Sequence, residues 1–172
     1  MKYVKVTSPD VNNGLGNRAT LWISGCKHKC EGCHNSWLQD YTKGKPICEA
    51  MDDLRDALSH SYIRGLTLSG GDPLYQTDES LDELNILIDD IKKEFPDKDI
   101  WIFSGFTLEE LINENNQHKL NILNKCDYFV DGKFKIELKD VRIPFRGSSN
   151  QNVWKKETDG TFSKVPDSYF KN

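Results

Sequence analysis

Short apolar, β-rich runs alternate with amphipathic helical stretches along most of the chain, and this alternation restricts the architecture more than any other feature. The runs fall at Tyr3 to Val6, Thr20 to Ser24, Leu66 to Ser69, Ile100 to Ser104 and Tyr128 to Val130, and they read as strands. Between them, Met51 to Leu58, Leu81 to Phe95 and Leu108 to Asn115 carry the helical period, with Leu81, Leu84, Leu87, Ile88 and Ile91 on one face. Alternation of this kind predicts an α/β fold with parallel strands. A complete eight-stranded α/β barrel takes about 250 residues, whereas this chain has 172. The expected form is a partial (incomplete) TIM-type β/α barrel with an open side. No linker or repeat divides the sequence, so residues 1–172 read as a single domain, with a loosely packed tail from about 151 where the sequence becomes polar.

Three of the strands end in small residues: Ser24-Gly25, Ser69-Gly70-Gly71 and Ser104-Gly105. Ligands of parallel α/β folds gather at the carboxyl ends of the strands, so these junctions are expected to line one site. Glycine at a strand end is also ordinary turn chemistry. What distinguishes the first junction is the sequence that follows it, GCKHKCEGCHNSW from Gly25 to Trp37.

Cys26, Cys30 and Cys33 there have the spacing CxxxCxxC on a polar loop that also holds Lys27, His28, Lys29 and Glu31. Three thiolates so close together can converge on one inorganic centre. A 4Fe-4S cubane commonly takes four cysteines, so three leave one iron open to an exogenous ligand. The competing structural reading is zinc, held by the three cysteines with His28 or His34 as a Cys₃His set. A plain electron carrier needs a fourth thiolate, for which Cys48 is a candidate; Cys126 stands apart. In the segment LTLSGGDP, Gly70 and Gly71 let a ligand approach the backbone directly.

Composition excludes other classes. Lys plus Arg number 23 against 27 Asp plus Glu, a formal charge of -4 that gives no general attraction to nucleic acid or anionic lipid. No apolar run approaches the roughly 20 residues that span a bilayer, and MKYVKVTSPD lacks the apolar centre of a signal peptide. The expectation is a cytoplasmic protein with no nucleic-acid or membrane partner. Its five cysteines are then unlike a disulfide framework and more like a metal or redox set.

With CxxxCxxC after one strand and Gly-Gly-acid-Pro after another, the sequence resembles the radical S-adenosylmethionine enzymes. Within them it is similar to the family that activates anaerobic ribonucleoside-triphosphate reductase. The similar segments are NGLGNR (Asn13 to Arg18), GCKHKCEGCHN, LSGGDPL, DIWIFSGF, VDGKF (Val130 to Phe134) and RGSSNQ (Arg146 to Gln151). Asp72 stands where the wider superfamily usually has Glu, and fits this subgroup. The resemblance implies a 4Fe-4S cluster on Cys26, Cys30 and Cys33, with S-adenosylmethionine on the open iron. One electron, from a donor such as flavodoxin or ferredoxin, cleaves the sulfonium to methionine and a 5′-deoxyadenosyl radical, which takes hydrogen from a glycine of the reductase.

By position, the resemblance places Gly32, Cys33 and His34 along the cofactor, with His34 near its adenine. It places Gly71 at the methionyl amino group and Asp72 beside it. Asp131 and Lys133 match an Asp-x-Lys pair near the cofactor, or are simply turn charges. Ser148, Ser149, Asn150 and Gln151 read either as contacts to cofactor or glycyl loop, or as a polar turn. The basic residues Lys133, Lys135, Lys139, Arg142 and Arg146 are interleaved with Glu137 and Asp140 and read as a solvated face. An activase of another glycyl-radical enzyme, such as pyruvate formate-lyase, and a non-enzymatic zinc or iron-sulfur module are the alternatives.

Overall fold

The computed structural model describes residues 1–170. Its strands are β1 (Lys2–Asp10), β2 (Asn17–Ile23), β3 (Lys45–Pro46), β4 (Ile63–Gly70), β5 (Asp99–Phe103), β6 (Tyr128–Asp131), β7 (Asn152–Lys156) and β8 (Phe162–Lys164), and its α-helices are α1 (Met51–Ser59), α2 (Asp78–Glu94), α3 (Leu108–Glu114) and α4 (Gln117–Leu123). All eight strands form one sheet, ordered β3-β1-β2-β4-β5-β6-β7-β8. The centre, β2-β4-β5-β6, is parallel. Both flanks are antiparallel. The sheet is therefore mixed and does not close.

The antiparallel start follows from chain length. Only residues 11–16 separate β1 from β2, too few for the crossover that a parallel pair requires. The expected loose tail is instead ordered into the sheet: β7 pairs with β6 and β8, and Val153 is buried.

The central strands read as near-continuous apolar runs because both faces are covered. Leu21, Leu68, Ile102 and Phe129 stand in register across β2, β4, β5 and β6, all fully buried. They join one core with Leu54 of α1, Leu84 of α2, Leu111 of α3 and Ile122 of α4. The next row, Thr20, Thr67, Trp101 and Tyr128, faces the other way. There Trp101, Tyr128 and Val130 pack with Val153, Val165, Phe145 and Phe170 rather than with a helix. Arg18, fully buried on that side, donates to Thr67 Oγ1 (2.6 Å) and Leu66 O (2.7 Å) and pairs with Asp99.

The helix starts have local causes. Thr77 accepts the Ser80 amide at the head of α2, and Thr107 and Glu110 form a reciprocal capping box on α3. Asn116 caps α4 in the same way through the Lys119 amide, whereas α1 follows Ala50 with no side-chain cap. The loops following β2, β4, β5 and β6 are left at the same end.

Candidate metal and cofactor site

Those four loops surround one cavity. Cys26, Cys30 and Cys33 line it from the loop after β2, Gly70 and Gly71 from the end of β4, Ser104 and Gly105 from the turn after β5, and Gly132 and Phe134 from the segment after β6. The cysteine loop is anchored at its root, where the Gly25 amide donates to Leu38 O (2.7 Å) and the Cys26 amide to Gln39 O (3.1 Å). Inside it, Cys33 donates its amide to Cys30 O (3.3 Å), and the His28 amide points at Cys26 Sγ (3.4 Å).

Burial pushes the Cys26 thiol up to about 12. Burial, then the neighbouring Cys33, raises Cys30, while the Phe134 amide and Lys133 oppose the shift. Thiols held in this way need a compensating cation to become thiolates, and metal ligation supplies it. The donor set, three thiols facing one cavity, fits an iron-sulfur cluster. Neither remaining cysteine lines the cavity: Cys48 is exposed, in a groove with Met51 and Ile86, and Cys126 is buried with its thiol on Leu123 O (3.0 Å).

The zinc arrangement with His28 meets an obstacle. One donor atom each from Cys26, His28 and Asp72 lies within 4.8 Å of the others. Yet His28 Nε2 is already bonded to Asp72 Oδ2 (2.8 Å). The same carboxylate accepts from the Leu74 amide (2.8 Å), the Ser104 hydroxyl (2.9 Å) and the Gly105 amide (2.9 Å).

The structure brings some expected residues to the cavity and withdraws others. Cys33, His34 and Gly71 line it, with the His34 ring 5.8 Å from that of Phe134. Gly32 does not; it has φ +69, and a Cβ there would lie 2.6 Å from Ile136 Cδ1. Asp72, expected beside the cofactor, is fully buried behind the lining and occupied by the four donors just named. Asp131, expected near the cofactor as well, is a buried brace. Its Oδ2 accepts the Leu108 amide (3.0 Å), and its Oδ1 accepts the Asn152 backbone (3.0 Å) and side-chain (3.1 Å) N–H groups. Lys133 is exposed and outside the lining.

Of the RGSSNQ residues, Gly147 and Gln151 line the cavity, and Gln151 folds back, with Oε1 accepting the Gly147 and Ser148 amides (2.9 and 3.1 Å) and Nε2 donating to Gly132 O (2.8 Å). Ser148 is buried, its hydroxyl accepting the Lys135 amide (3.2 Å). Ser149 is exposed, and Asn150 Nδ2 donates to Lys133 O (2.9 Å). The segment is a turn tied to residues 132–135 that closes one wall of the cavity.

The glycine at position 71 is required by the protein's own backbone. A Cβ there would fall 2.5 Å from Gly25 O and 2.8 Å from Leu38 O, so the Gly-Gly turn and the cysteine loop are pressed together. Ser104 and Gly105 line the cavity as their strand-end junction predicts, whereas nothing local in the sequence marks Phe134 as lining.

The comparisons with known proteins agree with this chemistry. Residues 12–154 match the family model described as a 4Fe-4S single cluster domain. An anaerobic ribonucleoside-triphosphate reductase-activating protein of Enterobacteria phage T4 is 37% identical over 163 residues, covering 94% of this chain and 98% of that protein. Proteins of the same name from Escherichia coli K12 and Vibrio cholerae serotype O1 are 38% and 41% identical over 156 residues, covering 89% of this chain and 97% of each relative. The chain belongs to the family of the anaerobic ribonucleoside-triphosphate reductase-activating proteins.

Proposed function

We propose that the protein is a radical S-adenosylmethionine enzyme that activates anaerobic ribonucleoside-triphosphate reductase by generating a glycyl radical on it. One observation carries the reading: among the described residues three thiols, and no fourth, face a cavity at the carboxyl ends of the parallel strands. When bound, the 4Fe-4S cluster and S-adenosylmethionine supply one-electron cleavage of the sulfonium and hydrogen abstraction from a backbone glycine of the partner, the electron coming from a donor of the flavodoxin or ferredoxin class.

The chain's own contribution is placement. Cys26, Cys30 and Cys33 would hold the cluster. Gly71 leaves room for a ligand to lie against the turn after β4, and His34 with Phe134 offers an aromatic wall for a nucleobase. Asp72 and Asp131 hold the surrounding loops. Lys133, from its place near Cys30, contributes positive charge at the rim.

The central strands and their helices are read as an arc of a β/α barrel. In support, the core that contains the helices lies on one face of the sheet, while the other face is covered by residues outside any α-helix. The unclosed sheet leaves a side by which a glycine of another protein can reach the cavity. No helix among the described residues is long and apolar enough to cross a membrane, which suits a cytoplasmic partner. The test is to mix reconstituted protein anaerobically with a strong reductant, S-adenosylmethionine and the reductase, with pyruvate formate-lyase in a parallel sample. A glycyl-radical paramagnetic signal in the reductase sample alone supports the reading. A signal only with pyruvate formate-lyase, or with neither, overturns it.

A further inference from the structure

Building on that reading, we infer that His28 and Asp72 form a positioning pair that fixes the cysteine loop against the two glycine turns and so sets how tightly S-adenosylmethionine seats at the cluster. Both side chains are almost fully buried, and His28 Nε2 meets Asp72 Oδ2 at 2.8 Å. This is the one side-chain to side-chain hydrogen bond by which residues 27–35 reach the rest of the protein, among the described residues.

The pair joins three strand ends. Asp72 belongs to the turn after β4 and accepts from Ser104 and Gly105 in the turn after β5, while His28 belongs to the loop after β2. The imidazole is held edge-on by Tyr75 at 4.7 Å and Phe106 at 4.8 Å, again one from each turn. Gly105 has no side chain for the same reason: its Cβ would lie 2.4 Å from His28 Cδ2. Rotation of the ring is blocked on every side named. The main chain joins the same two segments through the Asp72 amide on Gly25 O (2.8 Å), and within the loop the His28 amide points at Cys26 Sγ (3.4 Å). Moving the pair therefore moves the first thiol relative to Gly71.

The geometry also accounts for aspartate rather than glutamate at position 72. Oδ1 accepts the Leu74 amide two residues on, a closed turn made by Asp or Asn side chains. A further methylene would break that turn or push Oδ2 into the imidazole. His28 acts through Asp72 and the loop and is a positioning residue, not a catalytic one.

The test uses full-length protein carrying His28→Leu, which keeps bulk without a donor, and His28→Gln, whose Nε2 falls near the place of the imidazole Nε2. Each is reconstituted, assayed for iron, reduced, and titrated with S-adenosylmethionine while the cluster's paramagnetic signal is followed. A buried hydrogen bond to a charged group corresponds to about a tenfold or greater change in an equilibrium. The expected result is wild-type iron content in both variants, a titration midpoint raised about tenfold or more in His28→Leu, and recovery of most of that loss in His28→Gln.

A wild-type midpoint in His28→Leu overturns the inference, as does loss of iron from both variants, which would make the pair a prop of the fold. Retention of one zinc ion per chain by wild type and not by His28→Leu also overturns it. Absence of any cofactor response in wild type would instead remove the function on which the inference rests.

Discussion

The carbonyl oxygen of Gly25 lies 2.5 Å from the point where a Cβ on Gly71 would fall. The Gly-Gly turn and the root of the cysteine loop therefore cannot be perturbed separately. The two loops are separate in sequence, yet a side chain at position 71 would reach the root of the cysteine loop.

Gly71→Val is expected to lower folding stability by about 1–3 kcal/mol, the usual range for overpacking, and to lower iron loading together with cofactor binding. Thermal unfolding and iron analysis of the reconstituted variant check this. Full iron content with an unchanged melting temperature would show that the two loops yield independently.

The thiol assignment is tested by single substitutions to Ala. Cys26→Ala, Cys30→Ala and Cys33→Ala should each abolish the absorption of a 4Fe-4S cluster assembled anaerobically. Cys48→Ala should leave it unchanged, since that side chain is exposed in a different groove. Cys126→Ala should also leave it unchanged, at a cost of about 1 kcal/mol for one small buried group.

Cys126 also gives a pH dependence. Burial raises its thiol well above the ordinary 9.0, so the folded state keeps the proton after the unfolded chain has lost it. The stability this contributes is fully present below pH 9.0 and is lost as pH rises from there toward the folded value. Denaturant midpoints should fall above pH 9.0 more steeply for wild type than for Cys126→Ala. Parallel slopes would contradict the burial argument.

Asp131→Ala should unfold more easily without changing the cofactor site. The substitution leaves the buried Leu108 amide and the part-buried Asn152 amide without their acceptor, a loss of about 1–3 kcal/mol for the buried group left unsatisfied. A lowered melting temperature with an unchanged S-adenosylmethionine titration midpoint is expected. An unchanged melting temperature with a weakened titration would return Asp131 to the cofactor.

Much of this site was legible because its elements are local. Cys26, Cys30 and Cys33 sit within eight residues of one another, and the central strands announce themselves as apolar runs because both faces are buried. What was not legible is set by long-range partners. Asp72 meets His28, Ser104 and Gly105 at separations of 44, 32 and 33 residues. In sequence, a carboxylate bound to such partners looks the same as one waiting for a ligand. The strand β7, NVWKK, was lost for a different reason: only Val153 of its five residues is buried, so its alternation is too short to stand out from a polar tail. The helix α4, QHKLNIL, is only seven residues long and follows α3 almost directly, so its period does not stand out, and it is its Asn116 cap that marks where it begins.

A cluster held by three thiolates with one iron free for S-adenosylmethionine is probed by the paramagnetic resonance of the reduced, reconstituted protein with and without the cofactor. The expected result is a cluster signal that shifts when S-adenosylmethionine is added and fails to form in Cys30→Ala. A signal indifferent to saturating cofactor, or a normal cluster in Cys30→Ala, would contradict it.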